Sequence, residues 1–153
     1  MDISAFDPSL FIDATTEKAL EKRDPLPAGD YTAVIGEITA RTWRGRADPN
    51  KSGVAWDIPL TIDVPIEVQE GMSYDPTFTV KDSIMLDTTP NGGPDWGKGK
   101  NNRLRKYREA TNLNRPGETF SPRMMQGRVI TVRIAHEVVG EDIFERVTGV
   151  AQS

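Results

Sequence analysis

Apolar and polar residues alternate over several stretches of this chain, and the alternation predicts strands. The sharpest case is VAWDIPLTIDV, residues 54–64. Trp56, Ile58, Leu60, Ile62 and Val64 share one face there, while Ala55, Asp57, Pro59, Thr61 and Asp63 share the other. That is a half-buried strand, and Pro59, with no N–H for a ladder, points to an edge or a bulge. Upstream, DYTAVIGEITARTW (Asp30 to Trp43) is rich in β-formers, with Gly36 at its centre marking a bulge or tight bend. FTVKDSIMLD puts Phe78, Val80, Ile84 and Leu86 in phase, with Asp82 as the exception, expected at an irregularity. RVITVRIAHEVV and IFERVTGV form a closing hairpin across Gly140-Glu141-Asp142.

The period changes once. From Asn101 to Asn112, Leu104, Tyr107 and Thr111 recur at helical spacing, and Asn112, Asn114 and Arg115-Pro116-Gly117 supply stop signals. SPRMMQG reads as one capped turn, with Ser121 before Pro122 and Gly127 closing it. The segments PIEVQEGMSYDPT, TWRGRADPNKSG and TTPNGGPDWGKGK read as loops. The resulting order is three strands, a helix and two strands. It predicts a mainly β fold: a five-stranded antiparallel barrel of the oligonucleotide/oligosaccharide-binding (OB) type, its helix between strands three and four. Residues 29–153 would form this domain. Residues 1–28 would be an N-terminal arm, with weak helical character in ATTEKALEKR and an apolar SLFI able to dock on the body.

Charge sharpens that division. Residues 1–31 hold seven acids against three bases, whereas residues 32–153 hold 16 of each, so the acidity belongs to the arm. The start, MDISAFDPSL, has neither the basic nor the apolar region of a secretory signal, and no apolar run reaches the ~20 residues of a membrane span. The expected setting is cytosolic, with no membrane partner.

Several chemistries lack their residues. There is no cysteine, and the lone His136 sits mid-strand in phase with Ile134 and Val138, which suits a satisfied strand residue rather than a catalytic base or zinc ligand. Gly97 and Gly99 belong to no phosphate-loop pattern, and Asp87 and Asp95 lack the spaced acids of a calcium loop. No enzyme, cofactor or metal is expected.

What stands out is basic. From Trp96 to Arg108 the chain carries Lys98, Lys100, Arg103, Arg105, Lys106 and Arg108 without one acid. The loop after the first strand carries Arg41, Trp43, Arg44, Arg46 and Lys51, opposed by Asp48 alone. Single-strand binders combine cations that track phosphates with aromatic rings on which bases stack. The other reading is structural: NRLRKYRE as a solvated helix face, with Trp43 and Trp96 capping the ends of the barrel. Asp57 and Asp63 on the outward side of the second strand, and no aromatic there, weigh against a polyanion. The acidic arm could itself occupy the basic groove as a nucleic-acid mimic.

The linear pattern resembles small bacteriophage-encoded single-stranded DNA-binding proteins of the OB type. The resemblance runs through LPAGDYTAVIGEI, KDSIMLD, the basic helix leading into NLNRPGETF, and GRVITVRI with its hairpin, covering roughly residues 26–150. It implies sequence-independent coating of single strands in phage replication or recombination, in the cytoplasm of an infected bacterial host. Many such proteins end in an acidic tail that recruits partner enzymes. Here the sequence ends GVAQS, and such a role would fall to the acidic arm.

The expected partner is therefore single-stranded DNA, with self-association also open. Arg44, Arg46, Lys51, Lys98, Lys100, Arg103 and Lys106 would meet phosphates, while Trp43, Trp96 and Tyr107 stack bases. The rival is a virion component, such as a capsid decoration or cement protein, whose arm clasps a neighbouring capsid subunit. A carbohydrate-binding OB domain is a third reading, for which aromatics on the strand face would be expected.

Overall fold

The computed structural model describes residues 24–48 and 50–153. The arm's helix and the SLFI segment lie outside the described residues. Six antiparallel strands form one open sheet: β1 (Gly29–Ile35), β2 (Thr39–Arg44), β3 (Ser52–Asp63), β4 (Thr77–Leu86), β5 (Val129–Val139) and β6 (Asp142–Gln152). Helix α1 (Ile66–Met72) lies between β3 and β4, and α2 (Asn102–Ala110) between β4 and β5. Among the described residues no helix is long and apolar enough to cross a membrane.

The sixth strand arises because the expected first strand is broken. β1 pairs with the second half of β3, through Ala33–Ile62 and Ile35–Leu60, and β2 pairs with its first half, from Thr39–Asp57 to Arg44–Ser52. The break falls at Gly36, whose N–H donates to the Pro59 carbonyl at 2.8 Å. In a regular antiparallel pair the partner returns a second bond. Pro59 has no N–H to return, so the ladder stops there. A Cβ on Gly36 would lie 2.9 Å from Pro59 Cγ, so only glycine brings the two chains this close. Pro59 thus sits in a central strand, at the one place where its missing donor is harmless.

β4 pairs along the other side of β3 without a register shift, from Val54–Leu86 to Asp63–Thr77. β5 joins β1 to β6, with one irregularity at Arg133/Ile134. β4 and β6 share no ladder, so the sheet is not closed into a barrel. α2 packs on both of these strands. The core holds Tyr31, Ala33 and Ile35, Ile58, Leu60 and Ile62, and Ile130, Val132 and Ile134, with Leu104 and Tyr107 from α2. Leu26, before the first strand, is also fully buried.

α1 replaces an expected loop. None of its residues is fully buried, and only Val68 and Met72 pack partly against the core, a single apolar pair too short to announce a helix. Asp82 is a second correction. The β3–β4 ladder is regular at Ile58–Asp82, and the carboxylate simply faces inward with the apolar residues of its strand. A buried acid needs partners, and α2 provides them.

Candidate nucleic-acid interface

Alternation along β2, β3 and β4 assigns one set of side chains to the outside of the sheet. In register these are Trp43 opposite Gly53, then Arg41, Ala55 and Met85, then Asp57 with Ser83. Trp43 is laid across Gly53: a Cβ there would fall 2.8 Å from the indole Nε1 and 2.9 Å from Cε2. A glycine facing a tryptophan across the strands thus makes room for a ring lying on the sheet. The indole Nε1 is buried and has no hydrogen-bond partner among the described residues. Ala55 is fully buried despite its outward position.

Asp57, whose charge weighed against a polyanion, is neutralised locally. The Ser83 hydroxyl donates to its Oδ1 at 2.5 Å and Arg41 Nε to its Oδ2 at 2.9 Å. The Ser83 bond first, and then Arg41 and Lys81, hold the Asp57 carboxyl below the ordinary carboxylate range. Around Trp43 the face therefore presents an aromatic ring and cations with Asp57 already paired, while Asp63, at the far end of β3, stays exposed. Lys81 and Met85, on β4, were not recognised from sequence. Their signal is positional, because they share the outward phase of a strand that pairs with the Pro59–Gly53 side of β3.

The β2–β3 connection carries Arg44, Arg46 and Lys51 exposed, and none of them forms an ion pair with a described residue. Gly45 N–H donates to the Lys51 carbonyl at 2.7 Å, and Asp48 turns the loop by accepting from Asn50 N–H at 3.0 Å. The loop from β4 to α2 leaves the same end of the sheet, since Leu86 and Thr42 both flank Val54.

The second loop is pinned by Asn101 and its acids. Asn101 Nδ2 donates to the carbonyls of Asp87 at 2.9 Å and Asp95 at 2.8 Å, while its own N–H donates to Asp87 Oδ2 at 2.8 Å. Gly97 N–H donates to Asp95 Oδ1 at 2.9 Å. Asp87 and Asp95 thus shape the loop, and no metal-type cluster of three or more ligands occurs among the described residues. Lys98 and Lys100 remain exposed and unpaired with any described residue.

The run of six cations does not form one track. Arg105 donates to the carbonyls of Trp96 (2.8 Å), Gly97 (3.2 Å) and Lys100 (3.0 Å), tying the loop to the helix. Arg108 lies 5.6 Å from the Trp96 ring and 4.3 Å from Phe120, and donates to the Leu113 carbonyl. These stacked contacts are worth ~0.5–1 kcal/mol each at exposed sites. Trp96 is 45 % exposed, but it lines an end cavity of about 330 Å³ with the inward-facing Trp56 and Leu86. It therefore does not share the outer face with Trp43.

Two expected contacts need correction. Tyr107 is fully buried, with its hydroxyl donating to Asp82 Oδ2 at 2.6 Å, so its ring is not available to a base. Burial first, then the Asp82 charge, drives its phenol far above the ordinary tyrosine range, so it remains a donor. Arg103 is engaged in a bidentate pair with Asp82, at 3.0 Å and 2.5 Å. The helical period placed Leu104 and Tyr107 inward, but the partner that occupies Tyr107 and Arg103 comes from β4, which no local pattern reveals. Lys106 is exposed on the side of α2 facing Thr148 and Val150 of β6, away from Trp43. No protein-family model matches the chain, and no curated protein matches it.

Proposed function

We propose that this domain binds single-stranded DNA without regard to base sequence, as a non-enzymatic coating protein of phage replication or recombination. The observation that carries the reading is Trp43 laid over Gly53 on the outside of β2–β3, with Arg41 beside it and Arg44, Arg46 and Lys51 exposed in the adjoining loop. Bases would stack on the ring, at ~1–3 kcal/mol each, while phosphates follow the cations. Lys98 and Lys100 extend the track from the neighbouring loop, and Lys81 borders it.

Connectivity supports the same reading. Counted as one strand interrupted at Gly36, β1–β2 pairs with both β3 and β5, β3 with β4, and β5 with β6, and α2 joins β4 to β5. This order fits an OB-type domain, whose ligand face is built on its second and third strands. The protein would then act in the cytoplasm of an infected bacterial host. A second reading, a virion component, is favoured by the apolar tip of the β5–β6 hairpin, where Val138, Val139, Ile143 and Phe144 are exposed.

Titration of tryptophan fluorescence with long oligo(dT) tests the first reading. Quenching should saturate at low salt and weaken steeply as salt rises. Trp43→Phe should remove most of the quenching, and Lys98→Glu with Lys100→Glu should abolish measurable binding. Absence of both quenching and a mobility shift at low salt would sink the proposal. Quenching that survives Trp43→Phe and disappears in Trp96→Phe would move the site to the end cavity.

A further inference from the structure

β6 ends the sheet, and its two halves meet different surroundings. The C-terminal half lies against α2, where Gln152 Nε2 donates to the Glu109 carbonyl at 3.1 Å. The N-terminal half, from Asp142 to Arg146, pairs with β5 on one side and with no described strand on the other. A groove of about 480 Å³ runs beside it, lined also by Tyr74 and Phe78. Ile143 is 49 % exposed, Phe144 50 %, and Val138 across the hairpin 69 %. An unpaired edge bearing apolar side chains is a template for another strand unless a proline, a bulge or repelling charge guards it. Residues 142–146 contain no proline, and the one irregularity of the hairpin lies away from them, at Arg133/Ile134.

We infer that this half of β6 pairs antiparallel with β6 of a second copy across a two-fold axis, with Phe144 opposite Phe144. The charges select both the partner and the register. Residues directly opposite in such a pair share one face of the sheet, so the axis must pass through a residue position rather than between two. An axis at Ile143 sets Glu141 against Glu145, and an axis at Glu145 sets that carboxylate against its own copy. An axis at Arg146 does the same with two guanidinium groups. Only an axis at Phe144 brings opposite charges together, Asp142 against Arg146 on each side of the two apposed rings. Arg146 is exposed and forms no ion pair with a described residue. Ile143 then falls opposite Glu145, whose Oε1 already accepts from Leu26 N–H at 2.9 Å. Both copies use the same patch, so the contact closes at two and removes both free edges. The inference is independent of nucleic-acid binding.

The absence of cysteine makes the test clean, and it is run on the full chain without DNA. Under mild oxidation Phe144→Cys should give a covalent dimer, because its counterpart lies directly opposite across the axis. Glu137→Cys should not. Glu137 is exposed on the same face opposite Phe144, but three strand spacings, about 14 Å, would separate it from its own counterpart, beyond a disulfide's reach. Equal cross-linking of the two variants, or none in Phe144→Cys, would overturn the inference. Sedimentation equilibrium supplies a second measurement without engineered cysteines. Asp142→Arg and Arg146→Asp should each weaken dimerisation at least tenfold by setting like charges opposite, and the double variant should restore it. A parent chain that stays monomeric, or a dimer indifferent to the single reversals, would overturn the inference.

Discussion

Replacing Asp82 by alanine probes the largest departure from a simple apolar interior. Its carboxylate accepts three hydrogen bonds, two from Arg103 and one from Tyr107. The Tyr107 hydroxyl is buried and would lose its partner, at a cost of about 1–3 kcal/mol. The Arg103 side chain is 46 % exposed and can turn to water, so its share is that of a screened surface pair, about 1 kcal/mol or less. The substitution should therefore cost about 1–4 kcal/mol, a sizeable part of an ordinary domain's stability. Urea unfolding followed by circular dichroism measures it, with Tyr107→Phe and the double variant completing a cycle. Tyr107→Phe removes the buried hydroxyl together with its bond, and should cost only about 1 kcal/mol. The double variant should be no less stable than Asp82→Ala, since the orphaned hydroxyl is then absent. Additive losses, or an Asp82→Ala variant within about 0.5 kcal/mol of the parent, would refute the assignment of a coupled cluster.

Two further outcomes follow from the sheet. Gly36→Ala should destabilise by roughly 1–3 kcal/mol through its clash with Pro59 Cγ, and Pro59→Ala in the same chain should recover much of the loss in thermal melting. Asp57 is held below its unfolded pKa by Ser83 and Arg41, so it adds stability above the unfolded value near 4 and loses it as pH falls through the folded value. The urea midpoint of Asp57→Asn should accordingly fall less on acidification from neutral pH than that of the parent. An equal fall would show that the pairing adds nothing to stability.

Burial on one face writes a period of two into β3, β4 and β5, so these strands were legible in the sequence, and the spacing of Leu104 and Tyr107 located α2. The sequence marked Gly36 and Pro59 as special without revealing that they mark the same place. Their meeting across β1 and β3 turns one strand into two, and such a pairing is written in no local pattern. α1 was hidden for a different reason, since a seven-residue helix with one partly buried pair, Val68 and Met72, leaves only a faint apolar signature. Composition pointed to cations and tryptophans, but only tertiary structure sorted them. It set Trp43 on the outer face over Gly53, turned Trp96 to an end cavity under Arg108, and committed Arg103 and Tyr107 to a carboxylate on another strand. A side chain's type is local information. Whether it faces a ligand, the core or a counter-charge depends on what the fold brings opposite it.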